Sequence, residues 1–321
     1  MAVYTEVSDG DLLAFLETYD LGRVRSLKGI AEGVENSNYL LQTEAGSFIL
    51  TLYEKRVEEE NLPFFLGLME HLSAKGITCP QPVKARSGTA LGRLSGRPAA
   101  IVTFLQGVCR NRPGARDCAR VGEALAKLHQ AAADFNGSRA NSLSLEAWPR
   151  LFAPVSFCAD DVAPRLAAEI AAELGFLKAN WPRDLRRGVI HADLFPDNVL
   201  FLGAEVSGLI DFYFACTDDL AYDLAICLNA WCFEPHGAFN IEKAAALFSA
   251  YRSIRPLTAA EVEAMPALAR GAALRFALTR LIDWLHVPPG ALVSPKDPLE
   301  YMDKLRFHQT IGGAGELGFA P

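Results

Sequence analysis

The sequence predicts an α+β protein with a small, β-rich N-terminal lobe in residues 1–106 and a larger, mainly helical C-terminal lobe in residues 107–321. Three observations support this fold class. The first hundred residues alternate short β-prone segments with one long helix. After Gln106 and Gly107 the apolar residues recur at helical spacing. A chain of 321 residues, of which 50% are hydrophobic, can give each lobe its own core.

The N-terminal lobe is predicted to begin with a helix and to continue as a sheet that contains one further helix. Ser8 is a typical N-cap residue, and apolar residues at helical spacing follow it as far as Gly22. A turn through Gly46 joins two of the strands as a hairpin. The predicted strands cover residues 24–29, 38–43, 47–53, 83–85 and 99–104, and the second helix covers residues 58–75.

The C-terminal lobe is predicted to consist of helices around a small β insert. Short β-prone segments begin at Gly188, Asn198 and Val206. We place the connection between the lobes at residues 104–107. The predicted helices cover residues 116–133, 164–180, 221–232, 241–253 and 258–284.

Charge and composition exclude several classes of partner. A net charge of −7 argues against binding to nucleic acid or to an anionic membrane, because both need a basic face. We find no long apolar stretch for a membrane span and no N-terminal signal peptide. The seven cysteines include no C-x-x-C pair, which predicts reduced thiols and a cytoplasmic protein. Nothing in the sequence indicates an oligomeric state.

The strongest functional signal is a set of polar residues in the β insert. Asp193 follows His191 by two residues, Asn198 follows five later, and Asp211 thirteen after that. Phosphoryl transfer from a magnesium nucleotide needs a carboxylate that orients the attacking hydroxyl, and oxygen ligands for the metal. We therefore predict Asp193 as the catalytic base and Asn198 and Asp211 as Mg²⁺ ligands. The alternative is a solvated loop whose Asp and Asn side chains cap turns.

This pattern, H-x-D-x-x-x-x-N followed by I-D-F, resembles the aminoglycoside phosphotransferase and choline kinase group, which has a bilobal protein-kinase-like fold. The resemblance implies ATP and Mg²⁺ as cofactors and a catalytic loop in residues 189–201. His191 is expected to support this loop through a hydrogen bond. Asp223 is expected to be structural, either as a helix N-cap or as a partner of the loop.

A glycine-bearing loop between the first two strands is the predicted phosphate contact, because backbone N–H groups in such loops approach phosphates closely. As a motif on its own it is weak, and the alternative is a plain β-turn with polar side chains. The adenine is expected to bind backbone groups between the lobes. The predicted nucleotide-binding residues are Gly29, Gly33, Asn36 and Ser37 in the loop and Thr103 and Leu105 in the connection.

The third strand departs from the pattern of the group. Related enzymes carry Lys or Arg in its middle to pair with the phosphates, and here Thr51 occupies that position. Lys28, Lys55 or Arg56 are the candidate replacements, and the partner glutamate would be one of residues 58–60. The departure keeps open a second class of function, a non-catalytic regulator that binds nucleotide.

Within the group, nearly the whole chain resembles the bacterial homoserine kinases, through residues 34–39, 48–54, 62–65, 191–199 and 210–214. Thr51 fits that branch. The resemblance implies phosphorylation of the side-chain hydroxyl of L-homoserine, on the route to threonine. Choline would require an aromatic cage, an aminoglycoside would require an acidic cleft, and a sugar or another hydroxylated metabolite also stays open.

A zwitterionic acceptor needs a cation for its carboxylate and an acid for its ammonium group. Arg275, Arg280 and Asp283 lie on one predicted helix and offer both. We expect them to bind the acceptor. The alternative is an ordinary salt bridge between Arg280 and Asp283, which are three residues apart.

Overall fold

A computed structural model describes residues 5–30, 36–54, 58–287 and 295–319 of the chain. It has a five-stranded antiparallel sheet near the N-terminus and a helical C-terminal region. The predicted α+β fold class is therefore confirmed. The lobe boundary at residue 106 stays a prediction.

The N-terminal sheet is formed by strands that lie close to their predicted positions. Helix α1, Asp9–Leu16, is capped by Ser8, whose Oγ accepts the N–H of Asp11 at 3.1 Å. A second helix, α2, covers Leu62–Ala74. The strands are β1 Val24–Gly29, β2 Ser37–Thr43, β3 Gly46–Leu52, β4 Leu91–Leu94 and β5 Arg97–Thr103, in the sheet order β1-β2-β3-β5-β4.

The strand predicted at residues 83–85 is wrong. This segment follows an isolated bridge between Pro82 and Val102, and Val83 donates its N–H to Ile101 at 2.8 Å. Pro82 has no N–H to donate, so the pairing does not extend into a ladder. The remaining member of the five-stranded sheet is instead β4, which pairs with the first half of β5.

Strand β3 separates the two hydrophobic cores of the protein. Leu50 and Leu52 are fully buried and pack with residues of α1. Side chains alternate along a strand, so Thr51, and Tyr53 two residues later, face the side of the sheet opposite to Leu50 and Leu52. Tyr53 joins the core that continues through α2 into the helical lobe. Thr51 and Tyr53 are therefore on the side of the sheet that faces the rest of the protein.

The connection between the lobes is held against the β insert. Val108 and Phe201 exchange backbone hydrogen bonds of 3.0 Å, and Ser207 donates its hydroxyl to the carbonyl of Gln106 at 2.8 Å. Gly107 has a φ of +148°, and a Cβ atom there would lie 2.4 Å from Ser207 Oγ. Glycine is thus required for this close approach.

The C-terminal lobe is built around α7, Leu220–Trp231, of which nearly every residue is buried. A helix that is buried on all sides lies at the centre of a helical domain. The five predicted helices are present, with ends within two residues of their expected positions. The other helices are α3 Ala115–Ala131, α4 Trp148–Phe152, α5 Ala159–Val162, α6 Leu166–Asn180, α8 Ile241–Ile254, α9 Ala259–Leu285 and α10 Pro298–Gln309.

Helix α10 was not predicted, although its sequence carries a helix signal. Asp297 caps it by accepting the N–H of Leu299 at 2.8 Å, and Pro298 occupies the first turn. The buried residues Tyr301, Met302 and Leu305 then follow at helical spacing. The helix packs along α9.

The β insert contains two antiparallel pairs. Strand β6, Arg187–Ile190, pairs with β9, Cys216–Asp219, and β7, Val199–Leu202, pairs with β8, Glu205–Leu209. Strand β9 was not predicted. The loop 191–198 connects β6 to β7, and Asp211 lies between β8 and β9, so the two pairs bring these segments together.

Within the described ranges, no helix has both the length and the apolar character needed to cross a membrane. All seven cysteines lie in these ranges. Six of them are free thiols, and Cys109 donates its thiol to the carbonyl of Asp197 at 3.3 Å.

Candidate active site

Asp193 and Asn198 are joined directly within the loop 191–198. The side-chain nitrogen of Asn198 donates to the backbone oxygen of Asp193 at 2.8 Å and to Oδ2 of its carboxylate at 3.1 Å. These bonds hold the carboxylate of Asp193 in one orientation. They also leave the amide oxygen of Asn198 as the atom that can ligate a cation.

Asp211 lies beside Asn198 because of the β7–β8 hairpin. Ile210 donates its N–H to the carbonyl of Asn198 at 3.0 Å, which places the next residue, Asp211, at the same end of the hairpin. Asp211 has a φ of +63°, a conformation that aspartate adopts more readily than most residues. Its side chain is exposed. The hairpin thus places Asn198 and Asp211 at the same end.

This donor set fits Mg²⁺ that is bound together with phosphates. Magnesium prefers oxygen ligands and is usually held by one or two protein side chains, with the rest of its shell supplied by water and substrate phosphates. In the described part of the chain, no cluster of three His, Cys, Asp or Glu residues could hold a metal by itself. Asn198 and Asp211 therefore fit a metal that arrives with a nucleotide.

His191 connects the loop to the strand that leads to Asp211. Its Nε2–H donates to the carbonyl of Ile210 at 3.0 Å, and its Nδ1 accepts the N–H of Asp193 at 3.3 Å. This pattern assigns the neutral tautomer. Burial lowers the pKa of His191 despite the opposing charges of Asp223 and Asp193. The imidazole therefore orients both segments in its neutral form.

Asp223 is the anchor of the loop 191–198. Its carboxylate is fully buried and accepts the backbone N–H groups of His191 at 2.7 Å and of Ala192 at 2.8 Å. It lies within α7, whose N-cap position is Asp219, so of its two expected roles the contacts favour loop partner over N-cap. Burial raises its pKa, but the hydrogen bond from His129 and the nearby histidines outweigh burial and lower it.

Sequence analysis did not identify the α3 side chain that contacts the carboxylate of Asp223, or the α8 side chain that contacts it in turn. His129 of α3 donates to Asp223 through Nε2 at 3.0 Å, and its Nδ1 accepts the hydroxyl of Tyr251 at 2.8 Å. Arg255 donates to the same hydroxyl at 3.0 Å and forms a salt bridge of 2.7 Å with Glu261. A histidine on an apolar helix face carries no signal for such a chain of contacts.

Arg275 lies against the loop on the other side. Its Nη1 donates to the carbonyl of Ala192 at 2.9 Å and lies 3.8 Å from Oδ1 of Asp193. The guanidinium is almost fully buried and stacks over the ring of Phe276 at 3.8 Å. Burial raises the pKa of Asp193, and the charge of Arg275 partly counteracts this effect. Asp193 is thus a carboxylate with a raised pKa next to a fixed cation.

Arg280 and Asp283 lie further along α9 than Arg275, and their surroundings differ from those of Arg275. Arg280 donates to Glu300 of α10 at 2.6 Å and to the carbonyl of Asp297 at 3.1 Å, and its guanidinium lies over the ring of Tyr301 at 4.4 Å. Asp283 is half-buried in the last turns of α9. The structure therefore joins Arg280 to a helix that was not predicted.

Of the four loop residues predicted to contact phosphates, three lie in the described part of the chain, and their environments differ. Gly29 is the last residue of β1, whereas Gly33 lies outside the described residues. Asn36 and Ser37 are buried, and both bind Glu54. Asn36 Oδ1 accepts its N–H at 3.2 Å, and Ser37 donates to its carboxylate at 2.8 Å. Both side chains are therefore engaged with Glu54, which follows β3.

The connection between the lobes has fewer donors for a base than expected. Thr103 donates its N–H to the carbonyl of Gln81 at 2.9 Å, and Phe104 donates to Ser47 at 3.4 Å. Both N–H groups are therefore already used within the N-terminal sheet region. Of the two residues expected to bind the adenine, Thr103 and Leu105, only Leu105 is left as a candidate backbone donor.

Thr51 has a neutral partner. Its hydroxyl donates to Oδ1 of Asn38 at 2.8 Å. Lys28 lies exposed on the edge strand β1, and Lys55 and Arg56 lie outside the described residues. Among the candidate glutamates, Glu59 forms a salt bridge of 2.7 Å with Arg93 of β4, and Glu58 accepts the amide of Asn61.

Sequence comparison identifies close relatives over the full chain. The phosphotransferase enzyme family matches residues 26–257. A homoserine kinase from Methylocella silvestris is 75% identical over 318 residues, which is 99% of this chain and 99% of the relative. A homoserine kinase from Beijerinckia indica is 69% identical, with the same coverage of both chains.

The solved structures that resemble this chain have the same fold at low sequence identity. An aminoglycoside phosphotransferase from Alicyclobacillus acidocaldarius superposes with a TM-score of 0.62 at 18% identity, over 94% of this chain and 93% of that one. At this identity the similarity indicates the fold alone.

Proposed function

The chain belongs to the homoserine kinase family of phosphotransferases, which transfer a phosphoryl group to an alcohol, and we propose that it phosphorylates the side-chain hydroxyl of L-homoserine with ATP. The product would be O-phospho-L-homoserine. The observation that supports the proposal is the grouping of three residues at one end of the β7–β8 hairpin. Asn198 binds the carboxylate of Asp193, and the backbone bond from Ile210 to Asn198 brings Asp211 to the same end.

Asp193 is the proposed catalytic base. Burial raises its pKa, which makes the ionised carboxylate a better proton acceptor than that of an ordinary aspartate. The bond from Asn198 and the charge of Arg275 fix its two oxygens, so that the acceptor hydroxyl meets a carboxylate of defined direction. His191 and Asp223 have structural roles in this proposal.

Asn198 and Asp211 are the proposed Mg²⁺ ligands, and the bound metal would supply the positive charge that neutralises the phosphates. Leu105 would bind the adenine through its backbone, and Gly29 would form the start of the phosphate loop.

The acceptor site is proposed to lie between the loop 191–198 and the helices α9 and α10. Arg280 and Lys304 share the single carboxylate of Glu300, at 2.6 Å and 2.7 Å. Two cations on one acid favour an acceptor with a carboxylate over choline or an aminoglycoside, which are cationic. Arg275 is the second candidate for the carboxylate, and Asp283 for the ammonium group.

The test is release of ADP with each acceptor at equal concentration. We expect L-homoserine to be used far better than L-serine or L-threonine, and choline and kanamycin not at all. The serine hydroxyl lies one carbon closer to the carboxylate, and a misplacement of about 1 Å costs about 10²-fold in rate. Preference for choline or an aminoglycoside would refute the homoserine assignment. Nucleotide binding without turnover of any acceptor would favour a regulator.

A pair of variants tests the carboxylate site. Arg280→Met should raise KM for homoserine much more than KM for ATP. Arg306→Met is the matched control, because Arg306 lies on α10 but binds Glu169 at 2.8 Å. Equal effects of the two variants on KM for homoserine would contradict the assignment of Arg280.

A further inference from the structure

The loop 191–198 has a strained backbone that other elements hold in place. Ala192 has a φ of +62°, although it is not glycine. A residue in this conformation persists only where the surrounding contacts fix it. Asp223, near the start of α7, accepts the N–H groups of His191 and Ala192, and Arg275 donates to the carbonyl of Ala192. The backbone on the N-terminal side of the proposed base is therefore held by α7 and α9.

The backbone on the C-terminal side of Asp193 is held by the last residue of α7. The indole Nε1–H of Trp231 donates to the carbonyl of Leu194 at 2.7 Å, and both residues are fully buried. In the part of the chain that the structure describes, the only other donor to this carbonyl is the thiol of Cys227, at 3.8 Å. A thiol is a weak donor. The indole is thus the main hydrogen-bond partner of this carbonyl.

The two attachments on α7 enclose Asp193. Trp231 follows Asp223 by eight residues, which corresponds to about 12 Å along the helix axis. Asp223 binds N–H groups that precede Asp193, and Trp231 binds a carbonyl that follows it. Nearly every residue of α7 is buried, so the helix is a closely packed support. The course of the backbone through Asp193 therefore depends on both attachments.

A tryptophan in an enzyme that acts on small molecules could instead line the acceptor site. Trp231 does not fit that role, because its ring is fully buried and its single polar side-chain atom is engaged with Leu194. The ring lies beside Phe201 of β7, with 6.4 Å between the ring centroids. Trp231 can therefore act on the reaction only through the residues that it contacts.

We propose that Trp231 is a positioning residue, which aligns the carboxylate of Asp193 through the carbonyl of Leu194. Without the indole N–H, the loop keeps the attachment before Asp193 and loses the one after it. The carboxylate is then free to shift relative to the proposed metal ligands Asn198 and Asp211. A misplacement of about 1 Å costs about 10²-fold in rate. The inference rests on the proposed function, in which Asp193 is the base.

The chain contains a matched control for Trp231. Trp148, the first residue of α4, is also fully buried, and its Nε1–H donates to the carbonyl of Leu143 at the same distance of 2.7 Å. Leu143 lies outside the loop 191–198. Trp231→Phe and Trp148→Phe therefore make the same chemical change, and each removes one indole N–H that binds a backbone carbonyl.

The two variants of the full chain should differ in catalysis. Trp231→Phe should lower kcat by about 10- to 100-fold, with KM for ATP within a few-fold of the wild type. Trp148→Phe should keep kcat within a few-fold. Both should lower the thermal midpoint, because each loses a hydrogen bond and part of a buried ring. Hydrogen exchange of the loop 191–198 should become faster in Trp231→Phe and stay as in the wild type in Trp148→Phe.

The comparison separates positioning from general stability. Equal kcat in the two variants, or unchanged exchange of the loop in Trp231→Phe, would overturn the proposal. Benzothienylalanine placed at position 231 alone keeps both rings and replaces only the N–H by sulfur, so it gives the same test without truncation of the ring. Wild-type kcat with this side chain would also overturn the proposal. Exchange is measured without nucleotide or acceptor, so absence of homoserine turnover by the wild type would refute the proposed function and not this inference.

Discussion

Replacement of Arg275 by methionine should move the acidic limb of the pH–rate profile to higher pH. The variant keeps a long apolar side chain over Phe276 and removes the cation 3.8 Å from Oδ1 of Asp193. Only the ionised carboxylate can accept the proton of the acceptor, so activity is lost as the pH falls through the pKa of Asp193. Burial already raises this pKa, and Arg275 is the largest influence that lowers it. Without Arg275, burial therefore raises the pKa of Asp193 further.

The size of the shift follows from the distance. Two unit charges at 3.8 Å interact by about 4 kcal/mol at an effective dielectric constant of about 20, which corresponds to about three pKa units. The Asp193 side chain is 18% exposed, so solvent screens part of this interaction. Opposite charges at such distances change aspartate pKa values by about 1–3 units. We expect an upward shift of about 1–2 pH units.

The assay is kcat/KM for homoserine as a function of pH at saturating ATP and Mg²⁺. Arg280→Met is the matched control, because Arg280 lies on the same helix and its charge is paired with Glu300. It should change KM and leave the acidic limb in place. An acidic limb of Arg275→Met that coincides with that of the wild type would show that Asp193 is not the titrating base or that Arg275 does not act on it.

Three further predictions follow from the same geometry. Asp193→Asn should lower kcat by about 10²–10⁴-fold with ATP affinity within a few-fold of the wild type, and near-normal turnover would exclude it as the base. Asp211→Ala should abolish metal-dependent turnover, whereas Asn198→Ala should lose less and recover partly at high Mg²⁺; an unchanged metal dependence of Asp211→Ala would contradict the ligand assignment. Burial and the charge of Asp218 raise the pKa of Asp219 to about 6, so its ionised form costs stability that grows as the pH rises from the unfolded-state pKa to about 6. Asp219→Asn should therefore raise the thermal midpoint more at about pH 8 than at about pH 4, and the opposite pH trend in the difference would refute the raised pKa.

Much of the fold could be predicted because its signals are local. The bounds of β1 match the prediction, and Ser8 caps α1 as expected. The errors have local causes too. Pro82 interrupts the pairing of a β-prone segment, and β4, which forms instead, lies in a glycine- and serine-rich stretch. The cap and spacing of α10 were present in the sequence and show that this helix could have been predicted.

The candidate site also contains some contacts that follow from a local motif and others that join distant segments. Asp193 and Asn198 are five residues apart in one loop, so their pairing follows from the motif itself. The contacts of Asp193 with Arg275, of Asp223 with His129 and of Arg280 with Glu300 join different segments of the C-terminal lobe. For Arg280, the partner lies on a helix that was not part of the prediction.

The sequence by itself determined the fold class, most helices and strands, and the chemistry of the loop 191–198, because backbone hydrogen bonding, apolar spacing and turn residues act over a few residues. The tertiary structure decided which buried charges meet. Arg275 approaches Asp193, and Tyr213 approaches Tyr53, only when the cores around α7 and α2 are packed. Such contacts depend on the burial of side chains from segments far apart in the chain, and no local pattern specifies them.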